Sequence, residues 1–417
     1  MTYKAISLLF MTLIPQILLG QSSTIRFDGF PDYDTHLKTK GQLATFQKNH
    51  PTIKVSTTFN NHEDHHTRLQ TNLATGSGAG DVVLVDVGRL GAYINGGGFI
   101  DLKGPRFQGQ KLAKDFAPYA FAQGQGADGG QYGIPVDLGP GVLFYRRDYV
   151  EGMGFQISET TKSWDTFIEW GTKVKKKHPN VALIADAKDI ANLIISATVK
   201  EGHGLYFDDK DQPLLTSPRF VKAFETAQKV RKLGLDLAIE SWTNEWYEIL
   251  KNGRVASQPS GAWLLGHLKN WIAPESSGLW GASHLPEQIY GSWGGSFLAI
   301  PKQSANPEAA WSFIKFLVTP EAQLAGLNNI AAFPANTKTY GHESFQKSIA
   351  YLKGQKANLL FAEIAQKIRP IKPAKGDLMA VTIVDNALDE TLNQGRQIQE
   401  VLKEAEMMLK RRMRKVH

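Results

Sequence analysis

His62, Glu63 and His66 stand in the order H-E-x-x-H. On a helix the two imidazoles would share a face and hold zinc, with Glu63 as general base. A third ligand is needed, and Asp86 lies at a tolerable distance. The plain alternative is a solvated helix start, where Glu63 and Asp64 suit the positive end of the helix dipole. Asp86 and Asp137 each end an apolar run, the position at which α/β sheets place ligand sites. They could be a glycosidase acid/base pair, acceptors for sugar hydroxyls, or structural turn residues. Trp242, Trp246, Trp263, Trp280 and Trp293 crowd one region. Indole faces stack on sugar rings, or else fill a core. Gly294 and Gly295 follow Trp293 and have no side chain to keep a ligand from the backbone. That combination suits holding a small molecule better than breaking one.

These groups need a scaffold. Residues 25–27 and 53–59 read as strands, the latter with Ile53, Val55 and Thr57 on one face. Residues 37–50 have helical spacing and stop at Pro51, and 66–74 form a helix ending at Gly76. The run 81–86 is a buried strand of parallel type, and another helix starts near Gly91. Strands alternating with helices predict an α/β domain. Residues 132–137 and 142–145 read as two extended pieces joined by 138–141, where a domain boundary falls. Ser163 caps a helix that places Trp164, Phe167, Trp170 and Val174 on one face. Residues 219–233 form a further helix, and from Phe345 onward the pattern is almost wholly helical. Gly124, Gly126 and Gly129 match G-x-G-x-x-G but open no helix, so a surface loop is expected.

With 417 residues the chain is long enough for two or three domains. It has no cysteine, which excludes disulfides, thiolate metal sites, a cysteine nucleophile and a lipid-anchoring cysteine. Its net charge of +7 is uneven. Lys403, Lys410, Arg411, Arg412, Arg414 and Lys415 face only Glu404 and Glu406 in the tail. The rest is close to balanced, so a nucleic-acid groove is not indicated. Residues 1–21 read as an export signal: Lys4, then a short apolar run interrupted by Pro15, then small and polar residues.

Taken in order, several segments resemble the extracellular solute-binding proteins of sugar ABC importers, typified by the maltose-binding protein. They are 43–55, 73–102, 132–148, 163–167, Ser260 to Trp263 and Gly294 to Phe316. The resemblance implies a two-lobe periplasmic-binding-protein fold, each lobe a mostly parallel sheet flanked by helices, joined by hinge crossovers. It implies lobes of 22–137 with 292–338 and 138–291 with 339–417, and hinges at Leu138, Gly139 and 283–291. It further implies a carbohydrate in the cleft, delivery to an integral-membrane permease, a periplasmic monomer, and no catalysis, cofactor, metal or nucleic acid. Carried onto this chain, the ligand contacts are Asp32, Tyr33, Asp86, Arg89, Asp137, Trp263, Trp293 and Gly295. One departure stands out: Arg146 follows Tyr145 where the family commonly has asparagine. Facing the cleft, Arg146 would favour an acidic or phosphorylated sugar. The competing expectations are a secreted hydrolase, through His62 and His66 or through Asp86 and Asp137, and a surface-binding protein acting through its basic tail.

Overall fold

In the computed structural model, residues 22–371, 374 and 376–414 are described. The expected export signal, 1–21, lies outside them. Strand β1 (Ser23–Gly29) buries Ile25 and Phe27 and pairs in parallel along its whole length with β2 (Ile53–Phe59). Its other edge pairs in parallel with β3 (Val82–Asp86), whose first four residues are all buried. Such a run, apolar on both faces, belongs in the middle of a covered sheet.

The sheet order is β2-β1-β3, then β7 (Ser292–Ala299), β4 (Ile134–Arg146) and β5 (Ser257–Gly261). β7 returns from far along the chain and lies antiparallel between β3 and β4. At its centre Ser296 faces Asp86 on one side and Asp137 on the other. The two carboxylates therefore sit two strand spacings apart, roughly 10 Å between backbones. Carboxylates 51 positions apart in sequence become near neighbours only because a third strand threads between them.

β4 corrects one expectation. The two extended pieces are not separate: 138–141 is itself strand, and β4 runs for 13 residues. Its first part pairs with β7 and β8 (Phe333–Pro334), and its second part with β5 (Ser257–Gly261) and β6 (Trp280–Ser283). The Gly-Pro-Gly sequence signals a turn locally. Tertiary hydrogen bonds override it: Gly141 N–H donates to Gly291 O (2.9 Å), and Pro140 O accepts from Ala262 N–H (3.1 Å).

Two large apolar clusters flank this crossing strand. One holds Phe27, Phe46, Phe144, Phe313 and Phe333, and also takes in Trp246, Leu264 and Tyr351. The other gathers Leu143, Phe167, Trp170, Phe220, Phe224 and Leu388. The helix Trp164–Lys177 enters the second cluster through a capping box: Ser163 Oγ accepts from Thr166 N–H, and Thr166 Oγ1 accepts from Ser163 N–H. Its buried face is the one expected from Trp164, Phe167, Trp170 and Val174. No helix among the described residues is long and apolar enough to cross a membrane.

Helices connect the parallel strands. α1 (Pro31–Asp34) follows β1, and α2 (Gln42–Asn49) leads into β2. α3 (His62–Thr75) follows β2 and begins four residues earlier than the apolar spacing suggested. The cause is Asn61, whose side chain accepts from Asp64 N–H (2.9 Å) and caps the first turn. α4 (Val87–Asn95) is capped in the same way by Asp86, which accepts from Gly88 N–H (2.7 Å).

Candidate ligand-binding cleft

A cavity of about 640 Å³ opens where these strand ends meet the tryptophan-rich segment. Asp32, Tyr33, Asp86, Asp137, Trp263, Trp293 and Gly295 all line it. The size is that of an ordinary small-molecule site.

Tyr33, on α1, donates its hydroxyl to Asp137 Oδ2 (2.6 Å). The other oxygen of Asp137 accepts from Ser296 N–H (2.9 Å). Burial pushes the Asp137 carboxyl up to about 6, against the opposing pull of those two hydrogen bonds. The same burial, with Asp137 alongside, holds the Tyr33 phenol well above its ordinary value. Asp32 is exposed at the rim.

Asp86 is held by the turn it caps and lies 3.9 Å from His62 Nε2. Burial alone would lower the His62 imidazole, but Asp86 and Glu63 together raise it. The H-E-x-x-H residues are thus helical and neighbours, with ring centroids 4.4 Å apart. They do not present a zinc site. His66 is fully buried and both its ring nitrogens are committed. Nδ1 donates to His62 O (2.7 Å) and Nε2 accepts from Asp86 N–H (3.1 Å). Among the described residues no group of three or more His, Asp or Glu is placed to hold a metal.

Arg89 requires a correction. It does not line the cavity. The first turn of α4 aims its guanidinium at Glu63, which it holds at 2.7 and 2.9 Å. It reaches the cleft only through that carboxylate.

The aromatic wall is larger than the sequence suggested. Trp242 stacks on Trp263 at 5.2 Å and 25°. It is 50% exposed and has a left-handed backbone, φ 71°, a conformation that side-chain-bearing residues rarely adopt. Trp263 Nε1–H donates to Trp293 O (2.7 Å), so Trp263 can offer the cavity its ring but not its N–H. Tyr247 and His267 complete the wall. Trp246 and Trp280 are core residues. Gly294 and Gly295 line the cavity, but another constraint also fixes them. Both have positive φ (85° and 122°), and a Cβ on Gly295 would stand 3.0 Å from Asp137 O.

A second cavity of about 440 Å³ shares Trp242, Trp263 and Trp293 with the first. Asp189 and Gln258 form its polar floor, joined at 3.1 Å. Burial pushes the Asp189 carboxyl up to about 7. The cations on its wall are already engaged: Arg231 with Asp186 and Asp236, Lys188 with Asp389. No lysine or arginine lines the first cavity. Arg146, raised above as a partner for an acidic sugar, is only 7% exposed. It is paired through two nitrogens with Asp148 and lies over Trp280 and Tyr149. It is not among the residues lining either cavity.

Sequence reasoning missed Tyr247, His267, Asp189 and Gln258. Only the first two carried a signal, as rings among the clustered tryptophans. The G-x-G-x-x-G segment is the expected loop, closed by Asp128 accepting from Gly130 N–H and from Tyr132 Oη–H.

Residues 42–353 match the profile of a family described as bacterial extracellular solute-binding protein. A lactose-binding protein of Rhizobium radiobacter is 30% identical over 195 residues, 45% of each chain. An arabinooligosaccharide-binding protein of Bacillus subtilis is 24% identical over 279 residues, 63% of this chain and 61% of its own. The chain thus spans about half to two-thirds of the length of these curated relatives. Among solved structures, the sugar-binding protein MalE of Xanthomonas citri superposes with TM-score 0.73 at 22% identity, over 94% of this chain and 98% of that one. A binding protein of B. animalis subsp. lactis, in complex with β-1,6-galactobiose, gives TM-score 0.75 at 23% identity, over 94% and 97%. At such identities the likeness is one of fold, and the fold is that of two-lobe sugar-binding proteins.

Proposed function

Because this chain belongs to the bacterial extracellular solute-binding protein family, we propose that it is the substrate-binding component of an ABC importer. It takes up a carbohydrate in the cleft and hands it unchanged to a membrane permease. One observation carries this reading: a single cavity joins the stacked indoles Trp242 and Trp263 to fixed carboxylates at Asp86 and Asp137. Indole faces bind the apolar faces of sugar rings, and carboxylates accept from hydroxyls in charge-assisted hydrogen bonds. The named ligands of the relatives, lactose and arabinooligosaccharide, belong to the same chemical class.

The ligand is uncharged. The first cavity has no lysine or arginine to pair with a uronate or phosphate, its His62 is already beside Asp86 and Glu63, and the cations of the second are spent on carboxylates. An anion would meet the carboxylates of Asp32, Asp86 and Asp137. The contacts are Asp32, Asp86, Asp137, Trp242, Trp263, Trp293 and the backbone at Gly295, with Tyr33 holding Asp137 in place. The lobes divide as 22–137 with 292–338 and 138–291 with 339–417, and they close on the ligand by bending at β4 and 283–291. The protein works in the periplasm as a monomer, without a cofactor.

The test is a thermal-shift screen of the purified protein against neutral sugars, uronates and sugar phosphates, with product analysis alongside. A neutral sugar that raises Tm and is recovered intact supports the proposal. A cleaved sugar would make Asp86 and Asp137 a hydrolytic pair, and a preference for sugar phosphates would overturn the charge argument.

A further inference from the structure

Trp263, His267 and Trp271 recur at intervals of four where a four-residue α-helix, Leu264–His267, runs into a π-helical segment, Leu268–Ile272. The three rings are successive neighbours there. Neighbouring ring centroids are 5.7 Å apart at both steps. Trp263 and His267 line the cavity, and Trp271 lies beyond it.

Trp271 is 49% exposed yet held in place. Its Nε1–H donates to His267 Nδ1 (3.0 Å), and its ring meets Tyr247 edge-on at 4.9 Å. Tyr247 itself lines the cavity. Trp242 and Trp271 are the two large exposed aromatic residues among the described ones, and both lie on this one ladder. A ring fixed by hydrogen bonding and open on a face gives a ligand a surface at little cost in side-chain entropy.

Resting on the carbohydrate reading above, we propose that Trp271 and Tyr247 form an outer platform. The part of an oligosaccharide that protrudes from the cavity stacks there as it leaves the cleft. The ladder is continuous from Trp263 to Trp271, so the occupant of the platform is the continuation of whatever sits against Trp263. The chain therefore discriminates by length, binding oligosaccharides more tightly than the short sugars that fill the cavity alone.

The experiment is calorimetric titration of wild type and Trp271→Ala with malto-, galacto- and arabino-oligosaccharide series, from the monosaccharide upward. In the series that binds, wild-type affinity should rise with length. Trp271→Ala should leave the shortest binder unchanged and weaken the longest by roughly tenfold, the scale of one aromatic stacking contact. Trp271→Tyr should restore most of the loss. Equal loss at every length, or none at any, overturns the platform. Unchanged binding with impaired uptake through the permease would reassign the surface to docking. Failure of wild type to bind any of these sugars would instead be a failure of the carbohydrate reading itself.

Discussion

Asp137 concentrates the chemistry of the cleft in one side chain. Its oxygens hold Tyr33 from α1 and Ser296 from β7, and burial pushes its carboxyl up to about 6. A carboxyl with a raised pKa binds its proton more tightly folded than unfolded. Stability is therefore lost as pH rises from the unfolded value, about 4, through the folded one. Asp137→Asn keeps the shape and removes the titration. Its Tm relative to wild type should be higher at pH 7 than at pH 4, and an equal difference at the two pH values would show that Asp137 does not ionise in this window. The same variant should weaken sugar binding by roughly tenfold to a hundredfold, the loss expected for a hydrogen bond to a charged group. The pairing of Tyr33 with Asp137 spans 104 positions, and nothing local announces it. Each residue was legible as a candidate, but their hydrogen bond was not.

At the level of elements, the start of α3 decides what the histidine-rich stretch does. Asn61 begins the helix early enough to place His62 at the cleft and turn His66 inward onto Asp86 N–H. Asn61→Ala should cost about 1 kcal/mol of stability, read by chemical denaturation, and should loosen His62. A loss indistinguishable from zero would mean that packing alone fixes this terminus. The apolar spacing signals the helix only from His66, because polar caps lie outside that periodicity, and Glu63 and Asp64 mark its start only through their charge. β4 shows the converse. Its Gly-Pro-Gly stretch carries strong turn signals, and only partners contributed from 262 and 291 keep it extended.

At the level of the whole molecule, one long strand of the sheet carries chain between two apolar clusters. A ligand held between them should draw the halves together. Small-angle scattering with and without a saturating sugar should show a smaller radius of gyration in the bound state. An unchanged radius despite calorimetric binding would mean that the cleft is already closed, and the proposed bending at β4 would fall. The aromatic wall belongs to this scale too, since Trp242, Trp263 and Trp293 come from three separate segments and serve both cavities.

By itself the sequence determined the α/β alternation, the strand 53–59, the capped helix after Ser163, and a family resemblance spread over ordered motifs. Each of these rests on periodicity or on short-range capping, which physics expresses within a few residues. Seven of the eight expected site residues line the cavity, but of the two carboxylates read as ending strands only Asp86 does so, Asp137 lying inside β4. Arg89 was lost to Glu63, a partner 26 positions away. Only the tertiary structure decided which carboxylates share a strand, which indoles stack, and that Arg146 turns into the core rather than toward the ligand. Those outcomes depend on contacts between distant segments, whose geometry no local pattern contains.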